Sequence, residues 1–136
     1  MARVLLVDDD PQIRAMMRQM LERAGHEVRV AADGDAGLRS LREFPADLAI
    51  VDVFMPSRDG LEVILELRQE RPALPVIAIS GGMTVHDSAR LTRHVLEVAE
   101  RSFGAARVLA KPIGWKQLVE TVDELLDTSG SAPAGG

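Results

Sequence analysis

The chain has 136 residues, 46% of them hydrophobic and 27% charged, an ordinary globular composition for one domain that excludes a disordered chain. Its 16 Lys and Arg stand against 21 Asp and Glu, a net charge of −5, so direct binding to nucleic acid or a membrane surface, both of which want a basic face, is not expected. The absence of cysteine excludes disulfides, a thiol nucleophile and thiolate metal sites; with no apolar run long enough to span a bilayer and no signal-peptide pattern, the expected location is cytoplasmic.

In chain order, Arg3 to Val7 is almost uniformly apolar and reads as a strand buried on both faces. Pro11 suits the first turn of a helix whose apolar residues Ile13, Met16, Met17, Met20, Leu21 and Ala24 recur at helical spacing; the methionines read as core filler, and Gly25 stops the helix. Val28 to Ala31 is a weaker second strand, after which Asp33 is expected to cap a short helix carrying Leu38 and Leu41. Leu48 to Val51 is the third strand. Leu61, Ile64, Leu65 and Arg68 line the next helix, which Pro72 closes off. Val76 to Ile79 and Val108 to Ala110 are the fourth and fifth strands, with a fourth helix between them that starts at Val85 behind a Thr84/Asp87 capping box. Trp115 to Leu126 is the last helix, with Leu118, Val119, Val122, Leu125 and Leu126 on its apolar side. Residues 128–136 are small and polar and read as a flexible tail or linker stub, which leaves residues 1–127 as the domain. His26, His86 and His94 show no i, i+4 pairing and read as ordinary surface residues.

Strict alternation of strand and helix implies an α/β fold: a parallel sheet with right-handed crossovers and helices on both faces. Such sheets place ligands at the carboxyl ends of their strands. Asp8, Asp9 and Asp10 follow the first strand, Asp52 the third, Ser80 the fourth and Lys111 the fifth, so four strands deliver polar residues to one rim. Crowded carboxylates repel, and a proton or a cation must offset them. An oxygen-only donor set favours a hard ion such as Mg²⁺. A lysine adds a point charge suited to a phosphoryl oxygen, and the serine adds a hydrogen bond. Together these groups describe phosphoryl transfer to a carboxylate. Taken singly each is unspecific: Asp10, before Pro11, suits a helix cap, and Lys-Pro alone is a trivial dipeptide.

The segments VLLVDDDPQIR, LAIVDVFMPSRDG, VIAISG and VLAKPI carry these residues in order, and over about residues 3–127 the chain resembles the receiver domain of two-component response regulators. The resemblance implies a five-stranded sheet of order 2-1-3-4-5. It implies that Asp52 accepts a phosphoryl group from a phosphohistidine donor, a sensor histidine kinase or phosphotransfer protein, or from a small acyl phosphate. Asp9 and Asp52 would ligate Mg²⁺ (or Mn²⁺) through carboxylates, Phe54 through its backbone carbonyl and Asp8 through water. Lys111 would bind a phosphoryl oxygen. Ser80 would move toward the phosphoryl group and alter the surface of helix four, strand five and helix five, so regulating a downstream protein target.

Three features depart from the family. Val108 stands three residues before Lys111, where a switch aromatic is usual, and cannot swing as an aromatic does. Phe54, two residues past Asp52, replaces a commonly polar side chain, and its bulk is expected to screen attacking water. The segment from Gly82 to Phe103 is longer than usual by ~2 helical turns. On that extended fourth helix Leu91, Val95 and Val98 form one stripe, and Val85, Ala89, Leu96, Ala99 and Phe103 a second beside it. The two cover more than the ~100° a sheet-packed helix needs, so a partner or a homodimer contact is expected there.

Two rival readings stand beside the receiver. A small haloacid-dehalogenase-like phosphatase would use Asp8 as nucleophile within Asp8-x-Asp10. It has Pro11 where Thr or Val is expected, offers only Asp123-Glu124 as the later acidic pair, and leaves Asp52 without a role. A receiver-like module that binds partners without phosphorylation would have little use for the full acidic set.

Overall fold

The structure is a computed structural model, and it describes residues 2–52, 54–55, 58–80, 106–110 and 113–135. In chain order the elements are β1 (Arg3–Val7), α1 (Pro11–Arg23), β2 (Glu27–Ala31), α2 (Gly34–Glu43), β3 (Leu48–Asp52), β4 (Phe54–Met55), β5 (Arg58–Asp59), α3 (Gly60–Glu70), β6 (Val76–Ser80), β7 (Ala106–Ala110) and α4 (Trp115–Gly135). Five strands pair in parallel in the order β2-β1-β3-β6-β7, which is the expected 2-1-3-4-5 arrangement.

The aliphatic strands are buried on both faces because each face carries helices, and strand alternation divides the core in two. Leu5, Val7, Ala49, Val51, Val76 and Ala78 point to one side, where they pack with Leu41 of α2 and Val63, Ile64 and Leu67 of α3. Val4, Leu6, Leu48, Ile50, Ile77, Ile79 and Leu109 point to the other, against Met17 and Leu21 of α1 and Leu118, Val122 and Leu125 of α4. Val108 is partly buried against the α2/α3 side.

Local chemistry sets the helix ends. Asp10 is the N-cap of α1: its side chain accepts from the backbone N–H groups of Gln12 at 2.9 Å and Ile13 at 3.3 Å, while Pro11 opens the first turn. At the other end Gly25 adopts φ 95°. There the Gly25 N–H reaches the Glu22 carbonyl and the His26 N–H the Leu21 carbonyl, the paired closure that a left-handed residue makes possible. Asp33 caps α2 as expected, accepting from the Ala36 N–H at 2.8 Å. Helix α3 ends at Glu70, two residues before Pro72.

The structure corrects several inward-facing assignments. Met16 is 42% exposed and Ala24 is exposed, while Met17 and Leu21 are the buried residues of α1. Leu65 is likewise 42% exposed. Two apolar stripes on α3 overlap at Ile64, and the helix turns Val63, Ile64 and Leu67 toward the sheet in preference to Leu65. Arg68 is buried, and its desolvation lowers the guanidinium pKa from its ordinary value. His26 is not a surface residue: its side chain is only 8% exposed. Its Nδ1 accepts from the Ala2 N–H at 3.3 Å and its Nε2 lies 3.6 Å from an Asp123 carboxylate oxygen. A buried ring between two chain segments cannot be seen in the spacing of histidines.

The β4–β5 hairpin was not expected. Phe54 pairs with Asp59 and Met55 with Arg58, antiparallel, and two-residue strands are too short to show a period. Helix α4 begins at Trp115 as expected and is helical through Gly135, beyond the Leu126 end read from the apolar pattern. Its buried positions are Leu118, Thr121, Val122 and Leu125, and the Thr121 hydroxyl donates to the Gln117 carbonyl at 2.8 Å. The predicted fourth helix, with its stripes, its capping box, its homodimer contact, His86 and His94, lies outside the described residues, as do Lys111 and Pro112. Among the described residues no helix is long and apolar enough to cross a membrane.

Candidate functional site

Neighbouring strands bring the acidic residues together. Strand β1 pairs with β3 so that Val7 lies opposite Val51, and the next residue on each chain is Asp8 and Asp52. Continuation of two apolar strands to a common edge therefore sets two carboxylates side by side. Asp8 is 1% exposed and Asp52 2%; Asp9 is half-buried. One carboxylate oxygen from each of the three lies within 4.8 Å of the other two.

The loop from β1 into α1 is held by a short chain of hydrogen bonds. The Asp8 N–H donates to the Ala31 carbonyl of β2 at 3.1 Å, and Asp8 Oδ1 accepts from the Asp10 N–H at 2.9 Å. The Asp8 carbonyl accepts from Arg14 Nη1 at 2.8 Å. Asp10, committed to capping α1, stands apart from the trio. The amino end of α1 lies next in the chain, and its positive partial charge offsets part of the acidic repulsion.

The donor set fits a hard divalent ion. All three groups are oxygen donors, the only pairing chemistry that Mg²⁺ or Mn²⁺ demands. Two of the carboxylates are almost wholly removed from water, where uncompensated like charge is most costly. A cation there relieves that cost.

Of the residues expected at the rim, Asp8, Asp9 and Asp52 are therefore brought together. Asp52 pairs with Ile79 across β3 and β6, which leaves Ser80 as the last residue of the adjacent strand, and Ser80 in turn pairs with Ala110 at the end of β7. The backbones of Ser80 and Phe54 are placed by β6 and β4; their side chains, and the whole of Lys111, lie outside the described residues. Arg14 was missed by sequence reading, since a lone arginine early in a helix carries no signal that it turns back to a backbone carbonyl.

The sequence matches the response regulator receiver domain family over residues 4–123. It is 36% identical over 128 residues to the DNA-binding transcriptional regulator NtrC of Azospirillum brasilense, covering 94% of this chain and 25% of that protein. It is also 36% identical over 129 residues to the transcriptional regulatory protein PrrA of Mycobacterium bovis, covering 95% of this chain and 52% of the relative. The chain thus spans about a quarter to a half of the curated relatives it matches. Among solved structures, a response regulator receiver domain protein (CheY-like) from Methanospirillum hungatei superposes with a TM-score of 0.81 at 28% identity, covering 96% of this chain and 98% of that one. Fold, strand order and sequence agree, and the chain belongs to the response regulator receiver domain family, a signalling domain of two-component systems.

Proposed function

We infer that the chain is a phosphorylation-dependent switch of a two-component or phosphorelay system, with Asp52 as its phosphoacceptor. The observation that carries this reading is the approach of Asp8, Asp9 and Asp52 within 4.8 Å at the carboxyl edge of a receiver-type sheet. A carboxylate oxygen of Asp52 attacks phosphorus on a phosphohistidine of a sensor kinase or phosphotransfer protein. The new O–P bond forms as the N–P bond breaks, and the imidazole leaves with the electron pair and takes up a proton. Asp9 and Asp52 would hold Mg²⁺ or Mn²⁺ directly, the Phe54 backbone carbonyl would add a ligand, and Asp8 would act through water. When bound, the ion offsets the negative charge that gathers as carboxylate and phosphoryl group meet. Lys111 pairs with a phosphoryl oxygen and the Ser80 hydroxyl donates a hydrogen bond to another. The response is a population shift on the surface of β7, α4 and the fourth helix that the sequence predicts before β7, read by a separate target or by a further domain of a longer chain. Residues 1–127 form the switch and 128–136 a tail or linker stub; the setting is cytoplasmic.

The phosphatase reading with Asp8 as nucleophile leaves unexplained why Asp52 stands buried beside it. Intact mass after incubation with acetyl phosphate separates the two, with and without Mg²⁺, on wild type, Asp52→Asn and Asp8→Asn. The switch predicts one Mg²⁺-dependent phosphoryl adduct that disappears in Asp52→Asn. An adduct that survives Asp52→Asn and is lost in Asp8→Asn would overturn it.

A further inference from the structure

Arg14 is a cationic side chain that bonds to the loop bearing the carboxylates. It lies in the second turn of α1, where its backbone N–H donates to the Asp10 carbonyl at 2.9 Å. Its guanidinium turns back toward the sheet and donates from Nη1 to the Asp8 carbonyl oxygen at 2.8 Å, a contact that is partly buried. That carbonyl belongs to the peptide joining Asp8 to Asp9, two of the three acidic residues of the site. The Asp8 N–H is fixed by Ala31 of β2 and its carboxylate by the Asp10 N–H. The Arg14 bond adds a hold on the remaining polar group of the residue. Rotation about this peptide would move Asp9 relative to Asp52 while leaving the Asp8 N–H anchored to β2, so the contact bears directly on the trio's geometry.

We propose that Arg14 is a positioning residue for the metal-binding loop, its guanidinium setting the Asp8–Asp9 peptide so that both carboxylates face Asp52 before any ion arrives. The proposal rests on the reading of Asp8, Asp9 and Asp52 as a divalent-metal site. A hydrogen bond to a charged donor is shorter and stronger than a neutral one and keeps its direction in a partly buried setting. The groups that orient metal ligands in this way typically govern affinity as well as geometry.

Charge and position predict opposite signs, which makes the role separable. A guanidinium near three carboxylates opposes a second cation by simple repulsion, so if Arg14 acted only through its charge, its removal would tighten Mg²⁺ binding. If it acts through the Asp8 carbonyl, removal weakens binding.

The test uses the full chain as wild type, Arg14→Ala and Arg14→Lys. Mg²⁺ affinity is read by calorimetric titration at constant ionic strength, and amide hydrogen exchange is read by NMR on the metal-free protein. Arg14→Ala is expected to bind Mg²⁺ about tenfold more weakly. Exchange at the Asp10 amide should quicken in the absence of metal, while the Ile50 amide in the sheet core keeps its protection. Arg14→Lys, which retains a charged donor on a stem of similar reach, should recover part of the affinity. The maximal rate of phosphorylation by acetyl phosphate should return in Arg14→Ala at saturating Mg²⁺, with only the half-saturating concentration raised. Should Arg14→Ala fail to fold, Arg14→Met keeps the apolar stem and carries the same reading. Unchanged or tighter Mg²⁺ binding in the neutral variant overturns the proposal, as does equal loss of protection at Asp10 and Ile50. Wild type that binds no Mg²⁺ overturns the metal-site reading together with it, whereas wild type that binds while Arg14→Ala matches it overturns the role of Arg14 alone.

Discussion

Phe54 follows Asp52, the proposed phosphoacceptor, by two residues and begins the short β4 strand, whose pairing with Asp59 fixes its backbone beside the rim. On the proposed reading, an aromatic group two residues past the phosphoacceptor offers no hydrogen bond with which to orient a water molecule for attack on an aspartyl phosphate. Phe54→Asn is therefore expected to shorten the phosphoryl lifetime several-fold, followed as loss of the adduct mass after acetyl phosphate is removed. An unchanged lifetime would show that Phe54 serves only local packing. At this scale the acidic trio was legible because Asp8 and Asp52 end apolar strands, where any α/β sheet gathers its ligands. The caps at Asp10 and Asp33 were legible too, since each acts on backbone N–H groups within three residues. His26, Arg14 and Met16 were not. What each meets lies in another segment or depends on how far a helix is rotated, and no local spacing encodes either.

Helix α2 crosses β1 at Gly37, and the closeness of that crossing is set by a missing side chain. A Cβ added at Gly37 would stand 2.8 Å from Cγ2 of Val7, a fully buried and β-branched residue with little freedom to turn aside. In an open helix Gly→Ala would gain about 1 kcal/mol from propensity, but overpacking a core costs about 1–3 kcal/mol. Gly37→Ala should thus lower stability in urea by about 1 kcal/mol net, and the loss should shrink in a Val7→Ala background, where the two changes share one space. A stabilised single variant would show that α2 can move outward freely. Strands β1, β3 and β6 were readable as elements because burial on both faces makes their sequences almost continuously apolar, whereas the edge strands β2 and β7 carry exposed Arg29 and Arg107 and gave a weaker signal. Helix α3 was found but misrotated: two apolar stripes share Ile64, and only packing against the sheet decides between Leu65 and Val63 with Leu67. The β4–β5 hairpin left no pattern at all, since two residues per strand hold no period.

The whole molecule fixes the acidic trio at the cost of keeping like charges together, and that cost belongs to folding. The unfolded chain lets Asp8, Asp9 and Asp52 separate, whereas the parallel register of β1 and β3 holds them together whenever the sheet is formed. An ion that binds only the folded arrangement must then stabilise the entire domain by mass action. At a hundredfold excess over its dissociation constant the gain is about 2.7 kcal/mol, which for a chain of this size raises the melting temperature by about 10 °C. The expected outcome is a melting temperature that climbs with MgCl₂ and keeps climbing beyond the dissociation constant, set against NaCl matched for ionic strength. Screening of a net charge of −5 would act equally in both salts, so only the difference between them reports the site. Asp9→Asn and Asp52→Asn should each flatten the Mg²⁺ series without abolishing folding, because neither side chain belongs to the two apolar cores. Identical curves in the two salts would mean that the sheet brings the carboxylates together without making a metal site of them.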